Sequence, residues 1–181
     1  MWESVGEKIE TRRDGLVSHA NWLLNLDDQT PQRFALLQDY YPASLGRRDS
    51  GARLGSQMSA ELVFYPSRSP QRAIIAKQEV QSPQSLMWPI LPETLSLCFA
   101  RLLHALPWAE SCPFLLAEGR VLSDRKGKYW WKDESGALPL SNDQLSPLVL
   151  GCELRSAFVV WNGEQAELFS AQTEQWGAIA C

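Results

Sequence analysis

Residues 2–26, "WESVGEKIETRRDGLVSHANWLLNL", decide the fold, because a helix there and a pair of strands there lead to different proteins. Trp2, Val5, Ile9, Leu16, Trp22, Leu23 and Leu26 recur at intervals that suit one helical face. Gly15 weakens the middle of the run, so the pattern reads equally as two shorter helices. The expectation is a helical amino-terminal segment over residues 1–30. "DDQTP" at 27–31 ends it, and "RFALLQDYY" at 33–41, bounded by Pro31 and Pro42, reads as a buried strand.

After a Gly-, Ser- and Arg-rich loop at 43–59 comes "AELVFYPSRSPQRAII", residues 60–75. Leu62 and Phe64 alternate with Val63 and Tyr65, and both faces read as covered. Pro66 and Pro70 lie between Tyr65 and Arg72; prolines suit turns and cannot donate to a ladder, which gives a hairpin with a wide, rigid tip. A phosphate cradle needs glycines so that backbone N–H groups can approach the anion, and this tip has none. Arg68 and Arg72 are left as candidates for contact with an acidic partner surface.

"PETLSLCFARLLHALP" (92–107) reads as an amphipathic helix, with Leu95, Cys98, Phe99, Leu102 and Leu106 on one face and His104 opposite. Four short strands are expected at 113–123, 128–133, 155–162 and 164–170, with a short helix at 141–151. "WNGE" places Asn162-Gly163 between two of them as a two-residue type I′ turn. The lack of a βαβ rhythm and of a glycine-rich turn after a strand argues against a parallel nucleotide-binding sheet. The expected class is α+β: an N-terminal helical segment followed by antiparallel β-hairpins with one central amphipathic helix. The α+β domain would span 31–181, with 31–107 and 108–181 as subregions.

Composition narrows the function. The chain has 181 residues, 45% of them hydrophobic, enough for a sizeable core. A net charge of −4 argues against general nucleic-acid binding, which needs clustered Lys and Arg. Cys98, Cys112, Cys152 and Cys181 show no paired spacing and read as reduced cytosolic thiols. With only two histidines, His19 and His104, neither a metal site nor a cofactor is expected. The charged amino terminus does not read as a signal peptide, no apolar run approaches a membrane span, and a cytoplasmic protein is expected.

No nucleophile elbow, phosphate loop or zinc-protease motif is present, so no catalytic residue is assigned and the chain reads as a non-enzyme. A hydrolase with a dispersed carboxylate site is the alternative, and a nucleic-acid-binding accessory protein is another. Trp130 and Trp131 are adjacent on a strand and point to opposite faces, one to the core and the other to an interface. Trp131 is taken as the third candidate partner contact. Trp88 and Trp108, flanking the 92–107 helix, read as core filler.

Taken in order, "GEKIETRRDGLVSH", "RFALLQDY", "AELVFYPSRSPQRAII", "LPW", "WWKDESGALPL" and "VVWNGE" resemble the carboxy-terminal region of bacterial SWIM zinc-finger family proteins. The C-x-C and C-x-H pairs of the finger itself are absent, so its role does not carry over. The resemblance implies an adaptor, a protein-interaction module of a bacterial multi-component system with a MoxR-type AAA+ ATPase and a von Willebrand factor A protein. Such systems are associated with remodelling and phage defence. The reading leaves open a compact relative or a piece of a longer chain.

Overall fold

The computed structural model, which describes residues 1–27, 32–46, 53–81 and 87–181, folds residues 2–26 into a β-hairpin. Strand β1 (Trp2–Thr11) pairs antiparallel with β2 (Leu16–Asn25). The α+β expectation with a helical amino terminus is thereby overturned: the described residues are 51% strand and 8% helical, mostly antiparallel sheet. Two features disguised the hairpin. A bulge between Ser4 and Gly6 adds a residue to β1, which breaks the two-residue alternation and leaves apolar side chains at helix-like intervals. Trp22, Leu23, Leu24 and Asn25 are all buried, so the end of β2 is covered on both faces and shows no alternation. The turn is a three-residue loop. Gly15 takes φ 79°, its N–H bonds to the Arg12 carbonyl at 3.0 Å, and the Arg12 N–H bonds to Leu16 at 2.7 Å.

The chain divides into two compact units, Met1–Leu86 and Met87–Cys181. The domain boundary expected at 30/31 lies outside the described residues.

In the first unit, β1 and β2 continue into β3 (Phe34–Pro42), the strand expected at 33–41. Of the loop expected at 43–59, residues 47–52 lie outside the described residues. β4 (Gln57–Phe64) then pairs beside β1, and β5 (Ala73–Val80) folds back on β4, giving the order β3-β2-β1-β4-β5. A meander whose fourth strand returns beside the first is a Greek key. The two edges meet where Leu36 of β3 forms a parallel bridge to Arg72, ahead of β5. The result is a five-stranded, partly open Greek-key barrel, the architecture of the OB-fold. Trp2, Leu23, Ala35, Met58 and Ala73 form its core, with Leu37, Leu62, Phe64 and Ile75 packed on them. Two pairs of buried polar side chains meet there: the Ser4 hydroxyl donates to Asn21 Oδ1 at 3.1 Å, and Gln57 Nε2 donates to Glu3 Oε2 at 2.9 Å.

The second unit opens with the expected helix, α1 (Leu95–Ala105), whose N-cap Thr94 accepts from the Leu97 N–H. Leu95 and Cys98 pack on the unit's core. Strands β6 (Cys112–Leu116), β7 (Arg120–Ser123), β8 (Tyr129–Lys132), β9 (Ala137–Pro139), β10 (Ser156–Trp161), β11 (Ala166–Thr173) and β12 (Gly177–Ala180) follow. They form a four-stranded sheet, β12-β11-β10-β6, and a three-stranded sheet, β7-β8-β9. Residues 141–151, expected as a short helix, form turns instead, and Leu145 and Val149 drop into the core from them. The β7–β8 turn is held by Asp124, whose Oδ1 accepts from the N–H groups of Lys128 (2.9 Å) and Lys126 (2.8 Å). The Lys128 N–H contributes most to holding this carboxyl below its ordinary range.

The Asn-Gly turn is shifted by one residue. Trp161 pairs with Ala166, and Asn162 bonds to Gln165, so Gly163 and Glu164 are central. Asn162 keeps a negative φ and caps the turn with its side chain, accepting from Glu164 (3.0 Å) and Gln165 (2.8 Å), while Gly163 alone takes φ 98°. A Cβ on Gly163 would also stand 3.2 Å from the Phe99 ring. Gly163→Val is expected to cost about 1–3 kcal/mol, read by chemical denaturation, because a β-branched residue is strained at that φ. An unchanged denaturation midpoint would contradict this turn geometry.

Candidate functional site

The β4–β5 hairpin is built as its sequence suggests on one face only. Leu62, Phe64 and Ile75 pack on the core of the first unit, facing in. The other face, expected to be covered, is open. Val63 and Ile74 are directly opposed in the register, each 51% exposed, and Tyr65 is 52% exposed beside them. A bulge between Glu61 and Leu62 separates this apolar centre from an exposed ion pair, Lys77 with Glu61 at 3.8 Å.

The tip is anchored. Tyr65 N–H bonds to the Arg72 carbonyl at 3.0 Å, Leu36 N–H of β3 bonds to Gln71 at 2.7 Å, and Gln32 Nε2 donates to Pro70 at 2.8 Å. These bonds fix the loop backbone and leave its cations outside. Arg68 and Arg72 are both exposed, with the Arg72 guanidinium 5.4 Å from the centroid of the Tyr65 ring. The face therefore has an apolar centre flanked by two arginines at one end and mixed charge at the other.

Trp131, the third candidate, is not on any surface. It is 1% exposed and lies in the core of the second unit with Val121, Leu154 and Val159. Alternation on β8 put one tryptophan inward, and it is Trp131; Trp130 is the partly exposed one. Trp88 is buried as expected, whereas Trp108 is 76% exposed and fills no core.

His104 is exposed on α1, and His19 is buried on β2 with Nε2 2.8 Å from Glu7 Oε1. Among the described residues no group of three or more His, Cys, Asp or Glu side chains converges as a metal site. A groove of about 680 Å³ in the second unit is bordered by Trp88, Leu116, Leu138 and Ser156, with Glu93, Glu118 and Asp133 among its carboxylates. Glu93 is ion-paired with Arg101. Asp133 Oδ1 accepts from the Ser135 N–H (2.8 Å), the Ser135 hydroxyl (2.6 Å) and the Gly136 N–H (2.9 Å). Two of these three carboxylates thus already hold structural partners.

No helix among the described residues is long and apolar enough to cross a membrane. Comparison with protein-family models, with curated proteins and with solved structures gives no match.

Proposed function

We propose that this chain is a non-enzymatic, cytoplasmic protein-interaction module whose docking face is the outer surface of the β4–β5 hairpin. The observation that carries the reading is the half-exposed Val63–Ile74 pair with Tyr65, on a strand pair whose tip is held rigid and carries Arg68 and Arg72 outward. An apolar centre containing an aromatic, rimmed by charge, is the composition of a docking surface, and a rigid scaffold lowers the entropy lost on binding. The fitting partner presents an apolar patch beside carboxylates. In the system that the family resemblance implies, that partner is a MoxR-type AAA+ ATPase or a von Willebrand factor A protein, in a machinery of phage defence.

Tagged chain isolated from its native host should bring down a stoichiometric protein partner, and isolation of the chain alone would contradict the reading. Arg68→Ala with Arg72→Ala should weaken that complex about tenfold or more, with the larger loss at low salt. Folding should change by only about 0.5–1 kcal/mol, since both side chains are exposed. A double variant that unfolds would instead make the tip a structural clamp.

The barrel topology of the first unit favours one second reading, binding of single-stranded nucleic acid. Fold alone does not assign that function, and the open β4–β5 face offers one aromatic and two arginines against the stacking platforms and basic groove such binding uses. Binding to an oligonucleotide that weakens steeply with salt would establish it.

A further inference from the structure

The four cysteines have no paired spacing in the sequence, yet the fold of the second unit brings two of them together. Cys98, on the inner stripe of α1, and Cys112, the first residue of β6, place their sulfurs 3.7 Å apart. Cys98 is half-buried, while Cys112 is 3% exposed, so Cys98 is the more accessible residue of the two. Arg101 stands one helical turn from Cys98 and is ion-paired with Glu93. We propose that Cys98 and Cys112 form a redox-active dithiol, in which a peroxide oxidises Cys98 and Cys112 resolves it to a disulfide tying α1 to β6.

The chemistry follows from this placement. The hydrogen bond from Cys112, helped by Arg101 and opposed by burial and by Glu93, brings the Cys98 thiol down to about 7, so near neutral pH much of it is the nucleophilic thiolate. Cys112 is held well above the ordinary thiol range, first by that same hydrogen bond, and stays protonated. The Cys98 thiolate attacks one oxygen of hydrogen peroxide; the O–O bond breaks, giving a sulfenic acid on Cys98 and, after proton uptake, water. The Cys112 sulfur then attacks the Cys98 sulfur, the S–O bond breaks, and a second water leaves with the Cys112 proton. Two thiols and one peroxide become one disulfide and two waters, two electrons passing from sulfur to oxygen. The sulfurs need only close from 3.7 Å to about 2.05 Å. A disulfide of this kind in a reducing compartment is a transient, sensing bond and not a structural staple.

The test uses the full chain, reduced and then treated with an equimolar amount of hydrogen peroxide, followed by peptide mapping without reductant. The expected product is a single linked peptide pair joining Cys98 to Cys112, with loss of two hydrogen masses and with Cys152 and Cys181 still alkylatable. Cys181, pushed up to about 12 by burial, is the internal reference, and Cys98 should react with iodoacetamide at neutral pH at least about tenfold faster. In Cys112→Ser the reaction should stop at a sulfenic acid on Cys98, captured by dimedone. Peroxide that leaves both thiols free, or that oxidises Cys152 or Cys181 first, would overturn the proposal, and the unsubstituted chain suffices to show either.

Discussion

Gly119→Ala is expected to lower the melting temperature of the second unit by about 10 °C or more. Gly119 lies between β6 and β7 and is tied to Leu154 by two backbone bonds, of 2.9 Å and 2.8 Å. A Cβ placed there would stand 2.7 Å from two atoms of the Trp131 ring and 2.8 Å from the Lys132 carbonyl. None of these can retreat cheaply. Trp131 is fully buried in the main core of the unit, and Lys132 belongs to β8, paired with β7 and β9. Overpacking of a well-filled core costs about 1–3 kcal/mol, and a contact against a backbone atom and an immobile indole belongs at or above the upper end. For a domain of this size each kcal/mol moves the melting temperature by about 4–8 °C. Trp131→Leu alone should also destabilise, by about 3 kcal/mol, through the cavity it leaves. Combined, the two substitutions should cost clearly less than their sum, because the smaller side chain makes room for the new methyl group. A Gly119→Ala protein that melts with the unsubstituted chain would contradict the placement of Trp131.

How much of this was legible in the sequence depends on the element. The β4–β5 hairpin was readable because Leu62 and Phe64 alternate with Val63 and Tyr65, and two prolines mark its tip. What alternation cannot say is whether the second face is covered, and the candidate docking centre lies on that open face. The same limit applies at Trp130-Trp131: period two separates the faces without telling which one meets the core. Helix α1 was legible from its stripe and its flanking prolines, though Pro92 lies ahead of the Thr94 cap and not in the first turn. The first hairpin is hidden in the sequence because the extra residue at the Ser4/Gly6 bulge and the two-sided burial of Trp22–Asn25 both erase the strand period. Asp14-Gly15 was the available signal for a turn there, with Asp14 Oδ1 accepting from the Leu16 N–H at 3.1 Å. The approach of Cys98 to Cys112 is tertiary, set by the seating of α1 on β6, and no spacing rule reports it.

The docking face yields the other large effect. Val63→Glu together with Ile74→Glu puts two carboxylates into the centre of the proposed surface, where a partner would have to desolvate them with no cation opposite. Both positions are half-exposed and neither belongs to the core, so folding should change by about 1 kcal/mol or less, the main cost being two like charges directly opposed across the strands. Binding, in contrast, should fall about 100-fold or more, which corresponds to roughly 2.7 kcal/mol lost at the centre of an interface. The decisive measurement is the dissociation constant of this double variant for the partner isolated with the native chain, read beside its melting temperature. A lost complex with a nearly unchanged melt is the expected result. Full affinity in a folded double variant would contradict the claim that the β4–β5 face is where this protein meets its partner.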